Sequence, residues 1–142
     1  MSNKLSKILL VVVPIGCVGV FMYMTFYNAA YDHPGKYVYI NKCSGCHGEA
    51  GEGIQELVPP IAGADMAKTQ FDSLPCIILN GLNQPIVVNG KTYDQPMYPI
   101  ALSDVEMANL LNYMATDLVY IDRKYKSDTL GVMMKMCTNR KL

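Results

Sequence analysis

The hydrophobic positions along the chain fall into two regimes. From Ile8 to Tyr27 a run of 20 residues carries no charge. At 1.5 Å rise per residue such a run makes a helix of about 30 Å, the thickness of the hydrocarbon core of a bilayer. Beyond it the apolar residues recur at the spacing of short amphipathic elements. Asn28 to Pro34 reads as a polar linker, and Tyr39, Ile40 and Cys43 predict a helix from Gly35 to about Cys43. Gly45, Gly48, Gly51 and Gly53 mark a loop, and Leu57 to Ile61 must run extended around Pro59 and Pro60. A second helix is predicted from Ser73 to Asn80, with Ser73 as its cap, Pro75 in its first turn and Gly81 as its stop. Ile86–Val88 and Lys91–Tyr93 flank Asn89-Gly90, the signature of a two-residue hairpin turn. Ser103-Asp104-Val105-Glu106 is a capping box, and Met107, Leu110, Leu111, Met114 and Leu118 form the apolar face of the helix it opens. A last amphipathic stretch runs from Leu130 to Met136, and no internal repeat is present.

This pattern divides the chain into a membrane anchor over 1–30, an all-α domain over 31–120 and a C-terminal extension over 121–142. Lys4 and Lys7 precede the apolar run, which places the N-terminus on the cytoplasmic side and everything after the run outside the cytoplasm. Tyr23, Phe26 and Tyr27 stand where an interfacial aromatic belt belongs. Two other readings of the segment are a cleaved signal peptide ending near Asn28-Ala29-Ala30 and a lipoprotein modified at Cys17, which follows Gly16. Charge adds little. Residues 1–31 hold two lysines and no acid, which leaves 10 Lys/Arg against 12 Asp/Glu over 32–142. No single-sign field points to nucleic acid, and the basic residues gathered late, from Arg123 to Lys141, read as a solvated surface.

Cys43-Ser44-Gly45-Cys46-His47 is a CxxCH pentapeptide. Two thiols three positions apart can each add to one haem vinyl group, and the histidine after the second is then held under the iron. The pattern is that of c-type haem attachment. A zinc site needs about four ligands, and beyond the pentapeptide the exported part offers only His33, Cys76, Cys137 and scattered carboxylates. A thioredoxin-like CxxC belongs in a βαβ context, which is missing here. With two histidines in the chain, His47 serves one covalent haem c as proximal ligand. The sixth position falls to a methionine, to His33 or to nothing. Met107, Met114, Met133, Met134 and Met136 have helix-face spacing, and Met66 closely follows the proline loop. Met97 stands in an irregular loop between Pro96 and Tyr98-Pro99, where no helix packing accounts for it, and it is the expected sixth ligand.

These residues resemble the class I cytochromes c, especially the small membrane-anchored bacterial ones, over roughly 34–118. Gly35 to Tyr39 resembles the family's first helix, with Gly35 and Tyr39 facing the last one. Cys43 to Gly53 resembles the haem-attachment stretch with its glycine tail, and Val58 to Gly63 the proline loop. Gln95-Pro96-Met97 resembles the sixth-ligand segment, and Leu102 to Met114 the last helix, with Leu110 and Tyr113 meeting the first. The resemblance implies a cytochrome c fold: three main helices and a small hairpin around one haem. It also implies that a proline carbonyl, on Pro59 or alternatively Pro60, accepts the proton of the axial histidine's far nitrogen. There is no tryptophan to serve a haem propionate; Tyr93 or Tyr98 stands in. The extension beyond Val119 has no counterpart in the pattern.

His/Met ligation fills both axial positions and raises the reduction potential, which implies single-electron transfer rather than catalysis. The expected partners are redox proteins, a larger membrane respiratory complex among them, and the membrane itself. The alternative is a gas-sensing or peroxidatic haem with an open sixth position. With Cys43 and Cys46 taken by haem and Cys17 in the apolar run, Cys76 and Cys137 remain as an even pair in an oxidising compartment, and a disulfide between them is expected.

Overall fold

The computed structural model describes residues 2–31 and 33–139; side chains at 2–6, 8, 9, 11, 26–31, 138 and 139 lie outside that description. The chain divides into two units, 1–33 and 34–142.

The first unit is one helix, α1, Ser2–Tyr31, with Pro14 inside it. Its backbone continues through Asn28–Tyr31, where the sequence predicts a polar linker; neither glycine nor proline stands between Asn28 and His33. Leu10, Val12, Ile15, Val18 and Phe21 are all more than half exposed. Among the described residues no helix is both long and apolar enough to cross a membrane. The run expected to do so includes Ile8, Leu9, Val11, Phe26 and Tyr27, whose side chains lie outside the described residues.

The second unit is built on the packing of α2, Pro34–Lys42, against α6, Asp104–Tyr113. Pro34 takes the first helical position, where its missing N–H costs nothing. Gly35 is buried so closely against α6 that a Cβ would collide with the Asn109 carbonyl and come 2.6 Å from the Tyr113 Cβ. Tyr39 packs beside it on Tyr113, with ring centroids 5.6 Å apart. Gly35→Ala should therefore force the helices apart and cost about 1–3 kcal/mol, read as a lower denaturant midpoint of the holoprotein.

Between these helices lie α3, Ser44–His47; α4, Asp65–Thr69; a 3₁₀ turn, Phe71–Ser73; α5, Leu74–Asn80; and the hairpin of β1, Ile86–Val88, and β2, Lys91–Tyr93. The hairpin pairs Val88 with Lys91 around Asn89-Gly90. Both turn residues have positive φ, +50° and +77°, as a type I′ turn requires. Asp65 and Asn89 tie α4 to this turn through bonds of 2.8 and 3.0 Å. Ser73 does not cap α5: its backbone is helical and its side chain makes no capping bond, because the 3₁₀ turn already leads into the helix. Pro75 and Gly81 take their expected places at its two ends.

The capping box of α6 is formed, with Ser103 N–H donating to Glu106 at 2.9 Å and Glu106 N–H to the Ser103 hydroxyl at 3.3 Å. α6 does not stay α-helical to Leu118. It widens over Met114–Val119 into π-type turns closed by Tyr120 in the left-handed region. Thr116 bonds back to the Asn112 carbonyl at 3.0 Å, the side-chain competition that bends helices.

The extension then folds onto the unit. Asn112 holds Tyr125 by both backbone groups, at 2.7 and 3.0 Å. The Tyr125 ring stacks on Phe71, its hydroxyl donates to Asp72, and Arg123 pairs with the same carboxylate at 2.6 Å. Helix α7, Ser127–Asn139, packs on α5 and α6 with Leu130 fully buried. The Tyr125 hydroxyl and Arg123 hold the Asp72 carboxyl below its ordinary range, so this tether contributes above about pH 4 and is lost as pH falls through the lowered value. The effect should be small, because both charged groups are about half exposed. Asp72→Asn should melt slightly below the wild type at pH 7, and the two curves should converge in acid.

Candidate haem site

One helical turn carries the pentapeptide. Cys43 N–H bonds the Tyr39 carbonyl at 2.8 Å, continuing α2, and His47 N–H bonds the Cys43 carbonyl at 2.9 Å. Spacings of three and four put Cys43, Cys46 and His47 on one face of that turn. Cys43 is buried and Cys46 exposed. Burial, with Cys46 adding to it, pushes the Cys43 thiol up to about 11. A disulfide-exchanging CxxC instead needs a lowered thiol pKa.

The chain downstream doubles back beneath His47. Gly53 N–H bonds the His47 carbonyl at 2.7 Å, Ile54 and Val58 exchange bonds of 3.0 and 3.1 Å, and Gly51 accepts from Ile61 and Ala62 at 2.8 and 2.9 Å. The Tyr39 hydroxyl donates to the Gly48 carbonyl at 2.8 Å and pins the start of the loop. The result sets the Pro59 carbonyl 3.0 Å from His47 Nδ1. A carbonyl can only accept, so Nδ1 carries the proton and Nε2 keeps its lone pair. Burial lowers the imidazole pKa, against the opposing pull of the Pro59 carbonyl, so the ring is neutral at pH 7, the form that ligates iron.

His47 faces a cavity of about 280 Å³. Cys43, Cys46 and Pro59 line it on the attachment side; Leu74, Ile77 and Ile78 of α5, Val88 and Tyr93 of the hairpin, and Met97 line it elsewhere, with no carboxylate among the lining residues. Met97 is held by its backbone: its N–H and carbonyl both pair with Leu82, at 2.8 Å each. Two further methionines reach the cavity, Met66 from α4 and Met114 from the end of α6. Sequence periodicity had no means of separating Met114, only 4% exposed, from an ordinary core residue. Tyr93 is buried with its hydroxyl 3.4 Å from the Gln55 carbonyl, whereas Tyr98 is exposed at the rim. His33 is exposed. Cys76 and Cys137 are disulfide-bonded, with Cα atoms 5.0 Å apart. Among the described residues no group of three or more His, Cys, Asp or Glu side chains is arranged to hold a metal ion. The donor set that exists fits a haem: paired thiols on one face, a neutral imidazole with a free Nε2, and an apolar slot.

The cytochrome c family model matches residues 33–117. The chain belongs to the cytochrome c family. It is 38% identical over 80 residues to cytochrome c-552 of Thermus thermophilus, covering 53% of this chain and 61% of that protein. It is 32% identical over 82 residues to the cytochrome c subunit of a quinone alcohol dehydrogenase from Gluconobacter oxydans, covering 56% of this chain and 17% of that subunit. The chain thus spans less than two thirds of the length of these relatives. Members of the family bind haem c covalently, and this cytochrome takes one; its matched region holds a single CxxCH motif.

Proposed function

We propose that this cytochrome c carries single electrons through a haem whose iron is bound by His47 Nε2 and Met97 Sδ. The observation that carries the reading is that His47 and Met97 line one apolar cavity, each fixed independently, His47 by Pro59 and Met97 by Leu82. When bound, the haem supplies the one-electron couple of its iron. The chain's own residues orient the imidazole, hold the thioether in place and exclude water. A thioether in the sixth position stabilises the reduced iron and leaves no place for substrate. No carboxylate lines the cavity, and with both axial positions filled the protein is read as a carrier of electrons. Protein-film voltammetry should show one reversible one-electron wave, unchanged by added peroxide or oxygen; a catalytic current would contradict the reading.

The carrier is further proposed to be a single-pass protein of the cytoplasmic membrane, with residues 8–27 as anchor and the haem domain outside the cytoplasm. Support comes from the uncharged run, the lysines before it and the exposure of its apolar side chains along α1. The Gluconobacter relative is by name a subunit of a dehydrogenase, which supports a docked role in a respiratory complex for this chain as well. N-terminal sequencing of the mature protein decides the anchor. An intact start keeps it, a start near Ala30 makes the domain soluble, and a lipid-modified Cys17 makes a lipoprotein.

A further inference from the structure

The C-terminal extension lies outside the stretch that defines the family, which ends at residue 117. It is fastened to α5 at two points: the disulfide from Cys137 to Cys76, and a 3.1 Å bond from the Asn80 amide to the Cys137 carbonyl. On its other side α5 holds the segment that carries Met97. The Ile78 carbonyl accepts from Ile100 N–H at 2.8 Å, and Leu82, two residues past the end of α5, makes both backbone bonds to Met97. Gly81 lets this join form. Its φ is +71°, and a Cβ there would strike the Met97 carbonyl and sit 2.9 Å from Pro99 Cδ. A helix of seven residues has little stability of its own, so its position is set by what grips it.

We propose that Cys76 and Cys137 are positioning residues for the sixth ligand: the disulfide fixes α5 against α7, and α5 through Ile78 and Leu82 fixes Met97 on the iron. The inference rests on Met97 being that ligand. Freed of the bond, α5 and the 97–100 segment gain room to move together. The iron–sulfur bond then opens more often, although no residue touching the haem has changed.

The test uses full-length holoprotein. Cys76→Ser/Cys137→Ser and wild type are compared by the far-red absorption band of the ferric iron–methionine bond and by carbon monoxide capture after reduction with ascorbate, which leaves disulfides intact. Because the double variant can fail to assemble, already folded wild type is also treated with dithiothreitol, which supplies two electrons to convert the disulfide to two thiols and one to reduce the haem, so this arm is read by carbon monoxide capture alone and the far-red band is read on the double variant. Without the bond, the far-red band should weaken well below the melting temperature. Carbon monoxide capture should rise about tenfold, in proportion to the fraction of open sites, and reoxidation of the thiols should reverse it. A lower melting temperature with an unchanged band and capture within about twofold of wild type would make the disulfide a plain staple and overturn the proposal. A wild-type band that is absent, or that survives Met97→Ala, refutes the ligation reading itself, and the proposal falls with it.

Discussion

Met97→Ala is expected to keep its covalent haem, lose the ferric far-red band and bind carbon monoxide rapidly when reduced. Nothing in the attachment side of the cavity depends on the Met97 side chain: Cys43, Cys46, His47 and Pro59 are positioned by α2, α3 and the 48–62 loop. The backbone pairing with Leu82 also survives, since it uses only N–H and carbonyl. The variant should therefore fold and remain red. What it loses is the thioether that favours ferrous iron, so its potential should fall by on the order of a hundred millivolts or more, within the roughly 0.8 V that axial ligands span. Retention of the far-red band would mean that Met66 or Met114, which line the same cavity, is the ligand.

Removing both thiols, or His47, should have the largest effect of all: no holoprotein with a covalent, His-ligated haem accumulates. The energetic reason is the cavity. An unfilled 280 Å³ space at about 24 cal/mol per Å³ corresponds to at most about 7 kcal/mol. That is comparable to the whole stability of a small domain, about 5–15 kcal/mol. Haem is thus a large part of the core, and a chain unable to retain it should be recovered as unfolded or degraded protein. Single Cys43→Ala and Cys46→Ala variants should each yield little holoprotein, attached by one thioether, as mass spectrometry of the haem peptide would show. Normal yield from the double variant would contradict this account.

What the sequence made legible is what local chemistry decides. The CxxCH turn, the Asn89-Gly90 hairpin and the capping box at Ser103–Glu106 each rest on residues whose type dictates their geometry, and each stands in the fold; the meeting of Gly35 with Tyr113, which the family resemblance implied, stands there too. The pairing of Cys76 with Cys137 came from counting, and the fold places the two residues together. The misreadings sit where neighbours override local preference. Ser73 looks like a cap, but Phe71, Asp72 and Ser73 are drawn into a 3₁₀ turn on which Tyr125 packs, more than fifty residues later. α4 is five residues long and depends on the hairpin turn to which Asp65 is tied, so no periodicity announces it. The widening of α6 after Tyr113 is accompanied by a side-chain bond of Thr116 to the Asn112 carbonyl, and helical spacing encodes neither. The pairing of Met97 with Leu82 was equally invisible, because two isolated residues bridging across a loop leave no repeating pattern.

The ferric absorption spectrum of the purified full-length protein, with carbon monoxide capture measured on the same sample after reduction, tests the central claim most directly. The account predicts a far-red iron–methionine band and slow capture, because in the proposed ligation His47 and Met97 would fill both axial positions. A spectrum without that band, together with rapid capture, would show an open sixth site and contradict the reading of this cytochrome as an electron carrier.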